Sequence, residues 1–252
     1  MRLAICFSDF RLARGALMIA SITGIGWVNS ASMGSGREHK PLSTENGKLP
    51  TLTSRMIFGK TSIHFGRLDD YSKLGFAAIT FALNDAKMDQ WDKKRHIGVV
   101  ASTTYGCLAT DIDYYETVVP EGGSFASPSL FAYTLPNVYL GEVATRFGLT
   151  GQTFVVNEPE LSGVAGLRMA LNSIVLDDCP VMLAGLCDTG RPELFDYPAQ
   201  INPGALFFVL EKTPRQRDLS YGELDMVKEG PIFFKGKEIS SLQSLLGMCV
   251  NS

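Results

Sequence analysis

The chain has no close pair of cysteines: Cys6, Cys107, Cys179, Cys187 and Cys249 are scattered, with no C-x-x-C spacing. That argues against a disulfide framework or a zinc site and predicts buried free thiols in a reducing cytoplasm. Histidine is scarce, with only His39, His64 and His96 present. Neither a metal nor a cofactor is expected. An excess of one charge is also missing. The 23 Lys and Arg residues against 26 Asp and Glu residues leave a net charge of −3, which gives no global attraction for nucleic acid or anionic membrane. Long apolar runs are absent from Met1–Ile22, where Asp9, Arg11 and Arg14 interrupt Leu3–Phe7 and Ala16–Ile22. No bilayer span or uninterrupted secretory stretch is read there. The expectation is a leader over residues 1–17, a domain beginning near Met18 and a cytoplasmic location.

What is present is ordinary globular composition, 252 residues with 45% hydrophobic and 19% charged, enough for a substantial core. Ser21–Val28 mixes β-branched residues and glycines and predicts a first strand, followed by a polar loop from Asn29 to Pro50. Tyr71, Leu74, Ala78, Phe81 and Ala82 recur at helical spacing over Asp69–Leu83, with aspartates at the front to complement the dipole. A strand follows at His96–Ser102, then helices near Leu108–Thr117 and Pro136–Phe147. The alternation continues with a strand at Thr153–Asn157, a helix at Leu161–Leu176 and a strand at Val181–Leu186. Gly204–Glu211 and Tyr221–Val227 read as strands close enough in sequence to pair antiparallel, and a short helix is placed near Ser240–Met248. The fold class is α/β, with a mixed, mostly parallel sheet flanked by helices and an antiparallel edge.

Leu135-Pro136-Asn137, then Gly141-Glu142-Val143-Ala144, then Phe147-Gly148-Leu149-Thr150-Gly151 resemble the N-terminal half of a β-ketoacyl-ACP synthase, a thiolase-type condensing enzyme. Further pieces keep the register. Leu183-Ala184-Gly185-Leu186-Cys187-Asp188 is similar to leu-ala-gly-gly-x-glu, and Gly204–Glu211 is similar to gly-ala-gly-val-leu-val-leu-glu. Upstream, Ile22–Gly26 and Gly98–Val100 with Gly106 match the first two strands. The resemblance implies a thiolase-like half-domain over 18–228, with 229–252 as a C-terminal tail.

In that family a strand leads into thr-ala-cys-ser-ser-gly, whose cysteine sits at a sharp strand-to-helix turn. Here the matching residues are Glu158-Pro159-Glu160-Leu161-Ser162-Gly163, which puts Glu160 on the nucleophile position. Complete members are nearly twice as long, and their second half carries the catalytic histidines; none of the three histidines here matches those positions. Condensation needs a thiolate, so chain elongation is not expected. Cys107 and Cys187 are the nearest thiols in family context, with slight prospects as nucleophiles. Two roles stay open for Glu160. Desolvated, it would act as an acid in decarboxylating a malonyl or acyl thioester, with the amides of the turn at Leu161 and Ser162 stabilising the oxyanion. Otherwise it neighbours a helix cap and does no chemistry. Glu158 is expected to be solvated or salt-bridged. Asn137 either faces an acyl pocket, as the matching family position does, or caps a helix. The expected partners are an acyl carrier protein or acyl thioester, and a complete synthase subunit or a second copy. The small-residue helix after Gly163 needs a cover: the C-terminal tail, a copy of the chain or another protein.

Overall fold

Strand β1, Leu17–Asn29, occupies the middle of a nine-stranded sheet in the computed structural model, which describes residues 17–38, 47–120, 122–190 and 202–250. The other strands are β2 (Met33–Ser35), β3 (Ile97–Thr103), β4 (Thr153–Asn157), β5 (Val181–Asp188), β6 (Gly204–Glu211), β7 (Gly222–Met226), β8 (Ile232–Phe234) and β9 (Lys237–Glu238). Their order is β4-β3-β5-β6-β1-β7-β8-β9, with β2 also on β1. β3 pairs in parallel with β4 and β5, and every other pairing is antiparallel. Within β4-β3-β5-β6-β1, only β6 runs against its neighbours. The mixed sheet and flanking helices are those expected, but antiparallel pairing extends well beyond one edge.

One pairing differs from expectation. β6 and β7 do not pair with each other; β1 lies between them and bonds antiparallel to both. A direct β6–β7 ladder would leave both sides of a buried strand without partners for their amides and carbonyls. β1 is long enough to serve three neighbours, with β7 on Leu17–Ile22 and β2 on Gly26–Val28 of one side, and β6 along the other.

Eight helices follow, α1 (Ser54–Phe58), α2 (Ile63–Arg67), α3 (Asp70–Asp85), α4 (Leu108–Val118), α5 (Pro128–Phe131), α6 (Val138–Phe147), α7 (Val164–Val175) and α8 (Leu242–Val250). They cover both faces of the sheet. In β6, Ala205, Phe207 and Val209 face a cluster with α3 and α6, while Leu206, Phe208 and Leu210 face α7 and α8. A strand buried on both faces needs a continuous apolar run, which is what Gly204–Leu210 supplies. Phe207 and Phe208 are wholly buried, each worth about 1.5–3 kcal/mol of transfer free energy.

α3 begins at Asp69, whose carboxylate accepts from Ser72 N at 3.0 Å, and it lies directly on β1. Glycines on the strand allow that close approach. A Cβ at Gly26 would run into the α3 backbone at Ala78 and Ala82, and one at Gly24 would meet Ala86 Cβ at 2.7 Å. The region expected to be a tail, 229–252, is joined to the core. It contributes β8 and β9 to the sheet, and α8 buries Leu242, Leu245, Leu246 and Cys249 beside α7. The expected leader lies outside the described residues except for Leu17, as do Cys6 and His39. Among the described residues no helix is long and apolar enough to cross a membrane.

Candidate functional site

The parallel strands β3, β4 and β5 end together, and the turn after β4 leads into α7. Thr103 is in register with Asn157, and Ser102 with Val156 and Leu186. Two buried carboxylates stand at these strand ends, Asp188 and Glu158. Asp188, fully buried at the end of β5, accepts from Thr103 Oγ1 (3.0 Å), Thr104 N (2.9 Å), Tyr105 N (2.8 Å) and Gly190 N (2.8 Å). It holds the loop after β3 against β5.

Glu158 follows β4 directly. Its Oε1 accepts from Ser102 Oγ (2.7 Å), Ala165 N (2.9 Å) and Gly166 N (3.2 Å). Its Oε2 accepts from Gly163 N (2.9 Å) and Ser162 Oγ (3.0 Å). A carboxylate that is only 6% exposed is sustained by such donors and by the positive end of α7. Glu158 is therefore neither solvated nor salt-bridged, contrary to the expectation for it. The remaining first-turn amides are also taken: Val164 N donates to Ser162 Oγ at 3.2 Å and Leu167 N to Gly163 O at 3.0 Å.

Glu160, the residue on the nucleophile position, is exposed. It does not lie in the desolvated pocket expected of a catalytic acid. Leu161 and Ser162 are half-buried, and the backbone of Ser162 is engaged at both ends: its N–H donates to Glu160 O at 2.6 Å and its carbonyl accepts from Leu242 N at 2.8 Å. Asn137 occupies the N-cap position of α6 but its side chain makes no capping bond, and the residue is exposed. Glu160, Leu161 and Ser162 are thus together at one turn, while Asn137 belongs to a different helix start.

No described thiol is poised for attack. Burial, and then the Asp111 carboxylate beside it, pushes the Cys107 thiol up to about 12. Burial raises Cys187 well above the ordinary thiol range, with Asp188 adding to it, and also raises Cys179. Burial pushes Cys249 up to about 12. Nucleophilic cysteines need the opposite shift. The described histidines, His64 and His96, are both exposed, and Cys179 Sγ meets the backbone carbonyls of His96 (3.3 Å) and Val181 (3.2 Å) rather than an imidazole. Among the described residues no group of three or more His, Cys, Asp or Glu could hold a metal ion.

The C-terminal helix closes the turn from outside. Gly163, at φ 75°, sits under Leu242; a Cβ there would meet Leu242 Cδ1 at 2.5 Å. The arrangement binds its own carboxylate where a condensing enzyme's turn would offer amides to a substrate. The inward turn of Glu158 onto Ser102 is not legible in the sequence, where family context points to Glu160. The signal was an acidic residue a few positions ahead of a helix in which Ser162 supplies a second cap.

Residues 18–193 match the family model of the β-ketoacyl synthase N-terminal domain. No curated protein matches the chain in sequence. Among solved structures, the ishigamide ketosynthase/chain length factor aligns with a TM-score of 0.65 at 17% identity, covering 82% of this chain and 65% of that one. The chain thus spans less than two thirds of that protein. A type II polyketide synthase ketosynthase in complex with its acyl-carrier protein aligns at 0.62 and 17% identity, covering 82% of this chain and 68% of that one. A ketosynthase in complex with its chain length factor, from Xenorhabdus doucetiae, aligns at 0.58 and 17% identity, covering 79% of this chain and 81% of that one. At these identities the structures establish a shared fold. With the family model matched over residues 18–193, most of this chain, and the strand-to-helix turn in place, this chain belongs to the β-ketoacyl synthase N-terminal domain family.

Proposed function

We propose that the protein is a non-elongating ketosynthase-like subunit that partners an active synthase in fatty-acid or polyketide-type biosynthesis on carrier-bound thioesters. One observation carries this reading: the amides at the start of α7 already hold the Glu158 carboxylate. An acyl chain brought to this turn meets no thiolate, and the amides from Ser162 to Leu167 are already bonded within the chain. A ketosynthase in complex with its chain length factor shares this fold. That similarity favours an accessory subunit, and with it a cytoplasmic setting where carrier proteins work.

The sheet edge supports the same reading. Among the described residues β4 pairs with β3 on one side only, and Phe154, Val155 and Val156 are half-buried along it. An apolar edge strand without lysine, proline or bulge is a pairing surface for another chain. The rival reading, a malonyl- or acyl-thioester decarboxylase using Glu160, needs a desolvated carboxyl and free amides. Glu160 is exposed, and the amides from Ser162 to Leu167 are bonded. The test is co-expression with a complete ketosynthase of the same organism, followed by incubation with malonyl-ACP. A stoichiometric complex and no acetyl-ACP by mass spectrometry are expected. Acetyl-ACP production that disappears in Glu160→Ala would overturn the partner reading in favour of the enzyme.

A further inference from the structure

Away from the α7 turn, α1, α2, α3 and α6 surround a cavity of about 270 Å³. Its floor is aromatic. Phe58, Phe65 and Phe76 meet edge to face, with ring centroids 5.5, 5.8 and 5.7 Å apart. Phe65 and Phe76 are buried, so the floor is fixed by the core. The loop over it is fixed as well. Gly59 closes α1 in the left-handed region at φ 69°, and Ser62 N donates to Ser54 Oγ at 2.9 Å.

The rim carries Lys60 and Arg146, with His64 beside them. His64 Nε2 is bonded to Glu142 Oε2, which takes up that carboxylate. Lys60 and Arg146 have no carboxylate partner among the described residues, and the Arg146 guanidinium lies over the Phe58 ring at 5.2 Å. No acidic side chain lines the cavity. Two unpaired cations above an apolar, ring-lined floor favour an anion with a flat apolar body. A phosphate is less well served, because it would leave the ring-lined floor without an apolar partner.

We propose that this cavity binds a small aromatic carboxylate, the ring against Phe58 and Phe65 and the carboxylate between Lys60 and Arg146. The cavity has room for a single ring, and a guanidinium matches a carboxylate by two parallel N–H bonds.

Titration of the full chain with benzoate, followed by calorimetry and amide NMR, tests the assignment. Saturable binding at roughly millimolar Kd is expected for so small a ligand, with shifts centred on residues 58–65 and 146. Benzyl alcohol, which keeps the ring without the charge, and inorganic phosphate, which keeps charge without the ring, should each bind at least about tenfold more weakly. Lys60→Gln with Arg146→Gln should lower benzoate affinity by at least about tenfold without changing Tm, since both side chains are exposed. Binding unaffected by that double substitution, phosphate binding as well as benzoate, or occupancy only by an acidic carrier protein would each overturn the proposal. The partner reading survives any of these results, because the cavity shares no residue with the α7 turn.

Discussion

At the scale of single residues, two glutamates separated by one proline divide the chemistry of the turn. Glu158 is buried with five donors, and Glu160 is exposed. Replacing Glu158 by glutamine keeps the shape but turns an amide NH2 toward groups that themselves donate. At least one buried donor loses its acceptor, and the charge that met the helix dipole is removed. Glu158→Gln is expected to cost roughly 2–4 kcal/mol in urea unfolding, whereas Glu160→Gln should stay within about 0.5 kcal/mol. Equal effects at the two positions would mean that Glu158 is not the cap. The sequence carried the turn itself, because Phe147–Gly151 and Ser162-Gly163 keep the family spacing. It did not carry the direction of the side chains. Spacing along a strand end does not say which of two nearby carboxylates turns inward, and that choice depends on Ser102 in a strand more than fifty positions upstream. Asp188 was quoted as part of a motif without a role for the same reason: its donors come from the loop after β3.

At the scale of elements, α8 covers the turn at the start of α7. Leu242 is wholly buried over Gly163, and Leu242 N bonds Ser162 O at 2.8 Å. Gly163→Ala meets both a left-handed φ of 75° and the Leu242 side chain, and should cost about 1–3 kcal/mol. Leu242→Ala alone should cost about 2–5 kcal/mol as a core truncation. Made together, the two should cost at least about 0.5 kcal/mol less than their sum, because the shortened side chain leaves room for the new methyl. Strict additivity in denaturant melts would separate the helix from the turn. The elements with strong periodicity were legible: α3, α4, β3, β4, β5 and β6 lie within a few residues of their expected places. The rest was hidden for physical reasons. β8 and β9 span three and two residues, too few to show alternation. The β6–β7 pairing failed because nearness in sequence says nothing of a third strand, and β1 inserted between them. α8 was legible as a helix, but its burial against α7 is a tertiary fact that an apolar stripe leaves open.

At the scale of the whole molecule, the unequal edges of the sheet make the partner reading testable without reference to chemistry. One edge ends in β9, two exposed residues, Lys237 and Glu238, whose charges discourage further pairing. The other ends in β4, five residues with an uncharged apolar centre, and Met169, Val175 and Leu176 of the neighbouring α7 region are 41%, 44% and 70% exposed. A chain that works with a second subunit has reason to keep such an edge, whereas a chain that works alone has reason to blunt it. Thr153 is exposed at the head of β4, so Thr153→Lys should change folding stability by no more than about 0.5 kcal/mol. The same lysine places a charge on the pairing edge and should weaken association with a synthase subunit, or with a second copy, by at least about tenfold. Glu238→Lys on the opposite edge is the control and should leave association unchanged. Light scattering of wild type and both variants, alone and mixed with the synthase, reads the outcome. If Thr153→Lys and Glu238→Lys bind alike, the partner does not add to the β4 edge; if the wild type stays a monomer in every mixture, the chain has no such partner.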